Sequence, residues 1–244
     1  MFRSTRFAIF GVALALVAVP AVAQPPRGST PFHGEFQARV GGYFPSGGGD
    51  FWTDTQEVFT LDAGDFDGFI LGLTYVTPVN RYLEVGFNAD FYGQTVSSEY
   101  RDWVDGAGFP ILHDTKLRIT PLMIDLRIVP GGRFSDRGSY LQRKPVFYFG
   151  GGIGANYWQY EEVGDFLDFS FDPPDIITDR FTDDGWAFAA DAVVGLELPL
   201  GKSWGVILEG RYLWSEAELE GDFAGLGTIQ FDGPSAYVGV GFSF

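Results

Sequence analysis

The sequence predicts an all-β chain, one eight-stranded antiparallel up-and-down transmembrane β-barrel. Three observations predict it. Side chains alternate between apolar and polar along eight segments, the connections between them alternate between short and long, and charge sorts with the connections. A length of 244 residues suits one such domain, since single β domains run to about 200–250 residues.

Residues 1–23 carry the parts of a cleavable secretory signal: Arg3 and Arg6, an apolar run, and Ala21-Val22-Ala23 as a small–x–small cleavage site. Pro20 and that site favour cleavage over a membrane anchor, which needs about 20 apolar residues. Residues 24–34 are expected to be a short lead-in, and 35–244 to be the barrel.

Alternation is clearest in four of the eight segments. In 83–91, Leu83, Val85, Phe87, Ala89 and Phe91 oppose Glu84, Gly86, Asn88 and Asp90. In 186–198, Trp186, Phe188, Ala190, Ala192, Val194, Leu196 and Leu198 form the apolar row. Segment 204–214 sets Val206, Leu208, Tyr212 and Trp214 against Glu209 and Arg211, and 235–244 sets Val238, Val240, Phe242 and Phe244 against glycine, serine and tyrosine. Weaker patterns occupy 35–44, 66–76, 116–128 and 146–158. In 116–128 the apolar residues change parity at Pro121, which lacks a ladder donor, so a bulge is expected there.

Residues 77–81 and 199–203 make short connections and 129–145 a longer one, while 45–65, 94–116, 161–184 and 215–233 read as four loops of about twenty residues. Those four loops hold most of the 32 acids with only Arg101, Lys116 and Arg180 as bases. The other connections hold Arg81, Arg133, Arg137, Arg143, Lys144 and Lys202 against Asp136. One end is acidic and the other basic.

A soluble barrel also has one apolar face, pointed inward. Here Phe44, Phe69, Phe91, Tyr157, Trp186 and Trp214 fall at a similar height on the apolar faces, as in an aromatic girdle. The polar faces combine charge with glycine, which suits a crowded narrow lumen.

The chain ends at Phe244, with Phe242 and Val240 on the same face. With the leader and the loop asymmetry, it resembles the small eight-stranded outer-membrane proteins of the OmpA/OmpX/OmpW type. The resemblance covers the mature chain by pattern and rests on no unique motif. It implies residence in the cell outer membrane, contact with outer-membrane lipid and lipopolysaccharide, and reading of Val240, Phe242 and Phe244 by the barrel-assembly machinery. No peptidoglycan-binding domain is expected after the last strand.

The inward face is expected to carry Arg39, Glu84, Asp90, Asp125, Arg127, Asp191, Glu197, Glu209 and Arg211. Buried charges must pair, so Glu84 is expected to meet Arg127, and Arg39 and Arg211 to be bracketed by Glu209, Glu197, Asp125 and Asp191. Such a network is either a structural plug or the lining of a narrow cation-biased path.

Other chemistry is thin. The absence of cysteine excludes disulfides, thiol catalysis and cysteine-ligated metal, and a net charge of −16 disfavours nucleic acid. Lipid-modifying barrel enzymes use His with Ser and an acid; His113-Asp114-Thr115 offers a histidine without a matching serine, and His33 is bland. The glycines of 150–154 lie inside a strand, so they read as barrel packing and not as a phosphate loop. The acids of 161–184 follow no EF-hand order, so no metal or cofactor is expected, although divalent cations could bridge this surface to lipopolysaccharide phosphates. Phe166, Phe169, Phe171 and Phe181 suggest that this loop folds over the barrel mouth. The functional expectation is a non-enzymatic outer-membrane protein with an envelope-structural or surface-contact role. The alternatives are a narrow channel for small solutes or, as resemblance to the OmpW type implies, small apolar compounds and, third, a lipid-modifying enzyme.

Overall fold

The computed structural model describes residues 34–133, 144–201 and 203–244. The expected signal segment, the lead-in up to residue 33, and Arg137, Arg143 and Lys202 lie outside the described residues.

Among the described residues, nine strands, β1 (Glu35–Tyr43), β2 (Gly68–Pro78), β3 (Leu83–Val104), β4 (Pro110–Ile128), β5 (Val146–Asp168), β6 (Asp175–Pro199), β7 (Trp204–Glu218), β8 (Thr228–Gln230) and β9 (Gly233–Ser243), are accompanied by one α-helix, α1 (Asp50–Val58), and two short 3-10 helices, Ala63–Phe66 and Gly221–Phe223. Eight of the strands close a ring. Each pairs antiparallel with its neighbour in sequence from β1 to β7, then β7 pairs with β9 and β9 with β1. β8 is a three-residue strand set against β7 at one rim.

The stagger can be read from the register. From Trp204 the partners run through Phe242, Phe36, Tyr75, Phe87, Ile124, Ile153 and Ala190, and return to β7 at Trp214, ten residues further along. With ~3.3 Å per residue and ~4.8 Å between strands, that shear tilts the strands by about 40°.

Leu71, Leu73, Phe87, Ile124, Leu126, Ile153, Val194, Leu208, Val238 and Val240 are exposed on the outer wall, while Arg39, Asp90, Asp125, Arg127, Glu209 and Arg211 are buried inside. This inversion is what a hydrocarbon solvent selects. The six aromatics of the upper girdle are all exposed; Phe36, Tyr82, Trp204, Phe242 and Phe244 are exposed toward the short-turn end. The molecule is an eight-stranded transmembrane β-barrel.

Two expectations fail. Residues 94–116 and 161–184 are not loops: β3–β4 and β5–β6 continue as ladders to turns near 105–109 and 169–174. β1 has nine residues and β6 twenty-five, while about ten residues cross a ~25 Å apolar band at this tilt. The hairpins therefore rise about as far again beyond the girdle. Their alternation hides in the sequence because acids replace apolar residues on a face that meets water.

Nor does a bulge occur at Pro121. It pairs with Asn156 in unbroken register, and the β3–β4 register is the same above it (Tyr92 with Ile119) as below it (Ala89 with Leu122). Leu117, Ile119 and Met123 simply point inward and are buried. The apolar residues change face because the lumen itself changes from ionic to apolar at this height.

Candidate functional site

The lumen is built in layers. At the short-turn end Arg133 contacts Glu84 through Nε and Nη2 (3.0 Å to Oε2 for the latter), and through Nη1 it reaches Glu197 and Glu35, the last at 3.6 Å. Gln37 donates to Glu35 at 2.8 Å, and Ser243 Oγ donates to the other oxygen.

Above lies the main network. Arg39 meets Asp90 at 2.9 Å and also Glu209. Arg211 meets Asp125 at 3.0 Å, Glu209 at 3.3 Å and Asp191. Arg127 meets Asp125 at 3.3 Å and Glu209 at 3.5 Å. Glu209 thus takes three guanidiniums, plus the Tyr148 hydroxyl at 2.6 Å. Asn88 Oδ1 accepts from Thr74, Arg127 and Arg211, and the Arg39 and Arg127 guanidiniums lie over the Tyr237 and Tyr148 rings. Glycine supplies the room: a Cβ at Gly72 would stand 2.4 Å from Asp90 Oδ1, and one at Gly195 2.2 Å from Tyr148 Cζ.

All nine predicted interior charges are buried in this space. The pairings differ from expectation in two places. Glu84 and Arg127 are register partners, but Arg133 takes the Glu84 carboxylate and also Glu197, which had been assigned to Arg39 and Arg211. Arg133 lies beyond the end of β4 and reads as a basic turn residue; only its reach back beneath the barrel makes it interior. Glu35, at the first position of β1, was missed for the same reason.

Above the ions, Tyr43, Ile70, Tyr92, Ile119 and Leu213 form an apolar floor for a cap delivered by the first long connection. Phe51 and Trp52 of α1 are buried against Tyr160, Phe66 and Phe223, at ring separations of 5.2–6.1 Å. Trp52 Nε1 donates to Gln230 O at 2.9 Å, which fixes the helix to β8. Between ionic layer and cap, a space of about 10 Å³ lined by Tyr43, Asp90, Arg211 and Tyr237 remains, enough for one water at most. The helix, and not the third long connection, is the main cap. From that connection Phe166 is buried and Phe181 packs against the core, whereas Phe169 and Phe171 are exposed.

Higher in the β3–β6 wall, a serine does stand beside His113, contrary to expectation. Ser98 is its register partner, with Oγ 3.0 Å from Nε2. Phe59 and Phe166 cover the imidazole, with the Phe59 centroid 4.0 Å away, and Ser98 is buried too. Burial lowers the His113 pKa to about 4, against the pull of Asp114. Rings wall the imidazole, and Ser98 is buried beside it. Nearby Glu162 accepts from Tyr160 at 2.6 Å, and burial raises its pKa to about 7. The glycines of 150–154 let β5 lie close to β4: a Cβ at Gly150 or Gly154 would stand 2.0 or 1.9 Å from a β4 carbonyl oxygen.

No protein-family model matches the chain, and no curated protein does. Among solved structures it is similar to Neisserial surface protein A (9% identity, 86% of this chain and 97% of that one, TM-score 0.47). It is similar to a major outer membrane protein from Thermus thermophilus (10% identity, 86% and 99%, TM-score 0.44). It is also similar to Ail, the attachment invasion locus protein of Yersinia pestis (12% identity, 87% and 99%, TM-score 0.40).

Proposed function

We propose that the chain is a non-enzymatic integral protein of the cell outer membrane, a closed barrel that carries tall, acidic hairpins for contact at the cell surface. The observation that carries this reading is the doubly filled lumen: an arginine–carboxylate lattice below and an aromatic cap above, with room for one water between them. A path for solutes would need a continuous wet column. The surface role is supported by the hairpin tips, where Trp103, Phe109, Phe169 and Phe171 are exposed above the girdle and Trp103 packs on Phe169 at 5.7 Å. Apolar side chains held that far from the bilayer suit a partner better than a lipid.

Planar-bilayer recording tests the closed barrel. The reconstituted protein should give no stepwise conductance, and cation-selective steps altered by Asp191→Asn would reverse the assignment. Because the chain has no cysteine, Phe109→Cys and Phe169→Cys can be labelled on intact cells with a membrane-impermeant maleimide. Labelling of both is expected; failure of both would remove the hairpins from the surface.

A further inference from the structure

β6 and β7 part above their last pair, Ala189 with Ser215, and β7 turns to β8 through 216–218. A cleft of about 420 Å³ opens in the wall between them. It begins at Trp186 and Phe188, exposed residues at girdle level, so it sits where membrane meets water.

Five carboxylates line the cleft: Asp183, Asp184, Glu216, Glu218 and Glu220. Asp183 is held by the Glu220 amide at 2.6 Å and Asp184 by the Tyr157 hydroxyl at 3.0 Å. Among the described residues no lysine or arginine pairs with any of the five. So much negative charge beside a hydrocarbon boundary calls for a cation. The described residues, however, include no carboxylate group gathered tightly enough to hold a metal ion.

A second observation narrows the choice. Trp158, 2% exposed, lines the same cleft from inside, and its Nε1 has no hydrogen-bond partner. Its register partner is Gly185, also in the lining, where a Cβ would lie in ordinary contact with Nε1 at 3.5 Å. An indole N–H donates only and asks for an acceptor oxygen. Carboxylates and indole together fit a ligand with a positive nitrogen and a neighbouring neutral oxygen, with the nearby rings suited to an ammonium's alkyl part.

We propose that this lateral cleft binds a small organic cation, a primary ammonium held by the carboxylates, whose neighbouring hydroxyl or carbonyl oxygen accepts from Trp158 Nε1. The source is a free amino alcohol or amino sugar, or an ammonium lipid headgroup.

The test is calorimetric titration of the folded protein in non-ionic detergent, with the heat-modifiable gel band as the folding control for each variant. Ethanolamine should bind, ethylamine about fivefold more weakly for want of the oxygen, and glycerol not at all. Glu216→Gln with Glu218→Gln should weaken ethanolamine about tenfold. Trp158→Phe should abolish the preference for ethanolamine over ethylamine and leave the carboxylates in place. No binding of ethanolamine, equal binding of ethylamine to the wild type, or full displacement by equimolar Mg²⁺ would each overturn the proposal. In bilayers, loss of ethanolamine binding only when phosphatidylethanolamine is present identifies the headgroup as occupant; unchanged binding identifies the free amine.

Discussion

Glu162 and His113 pull stability in opposite directions with pH. The raised Glu162 pKa, about 7, means the folded state holds a proton that the unfolded chain releases, so this residue's contribution falls as pH rises from about 4.5 to 7. The lowered His113 pKa, about 4, means the unfolded chain binds the extra proton, so its contribution grows as pH rises from about 4 to 6.5. The two slopes oppose each other. Relative to the wild type, the urea-unfolding stability profile between pH 4 and 7 should tilt upward with pH in Glu162→Gln and downward in His113→Asn; parallel profiles for all three would refute the assignment. A second residue carries more. Arg133→Ala leaves Glu84, Glu197 and Glu35 around a vacated charge and should cost about 3–5 kcal/mol, with partial recovery on adding Glu84→Gln, read as the midpoint of heat modifiability. The polar faces of single strands named the interior charges, because period two puts them there. It could not name their partners, since Arg133 enters the lumen from a turn.

The elements that reach beyond the membrane were the least legible. The β5–β6 hairpin reads as loop because both its faces are polar or aromatic, yet its register is unbroken from Val146 with Glu197 to Asp168 with Asp175. Its free edge, on β6, is blunted by carboxylates. Asp175 accepts from the Ile176 amide at 3.0 Å, Asp179 from Arg180 at 2.8 Å, and Asp222 from Thr182 at 2.9 Å. Open edge amides invite another strand, so Asp179→Ala with Asp222→Ala should shift the protein toward dimers in light scattering, while the wild type stays monomeric at equal concentration. α1 was hidden for a related reason: nine residues are too few for a helical period to stand out between strands, and only tertiary packing of Phe51, Trp52 and Thr55 holds it. Trp52→Ala removes both the ring packing and the Gln230 contact. It should free the cap locally, seen as new protease cleavage within 45–65 and an intact barrel band.

For the whole molecule, the legible fact was the inversion: eight apolar stripes with charge between them close only one way when the outside solvent is lipid. The terminal strand shows where fold and assembly separate. Phe244 makes one backbone bond to Gly34, stacks on Phe36 at 5.8 Å, and is otherwise exposed on the lipid face. Those contacts are too few to hold the ring closed, since β9 is joined to β1 by nine paired positions and to β7 by ten. Deleting Phe244 should then leave refolding into detergent from urea nearly as efficient as in the wild type. If the residue is read during insertion, as its place at the end of an apolar row ending Val240, Phe242 suggests, the heat-modifiable band in cells should drop severalfold. Loss in both settings would make Phe244 a closing residue of the barrel, and loss in neither would leave the assembly machinery indifferent to it.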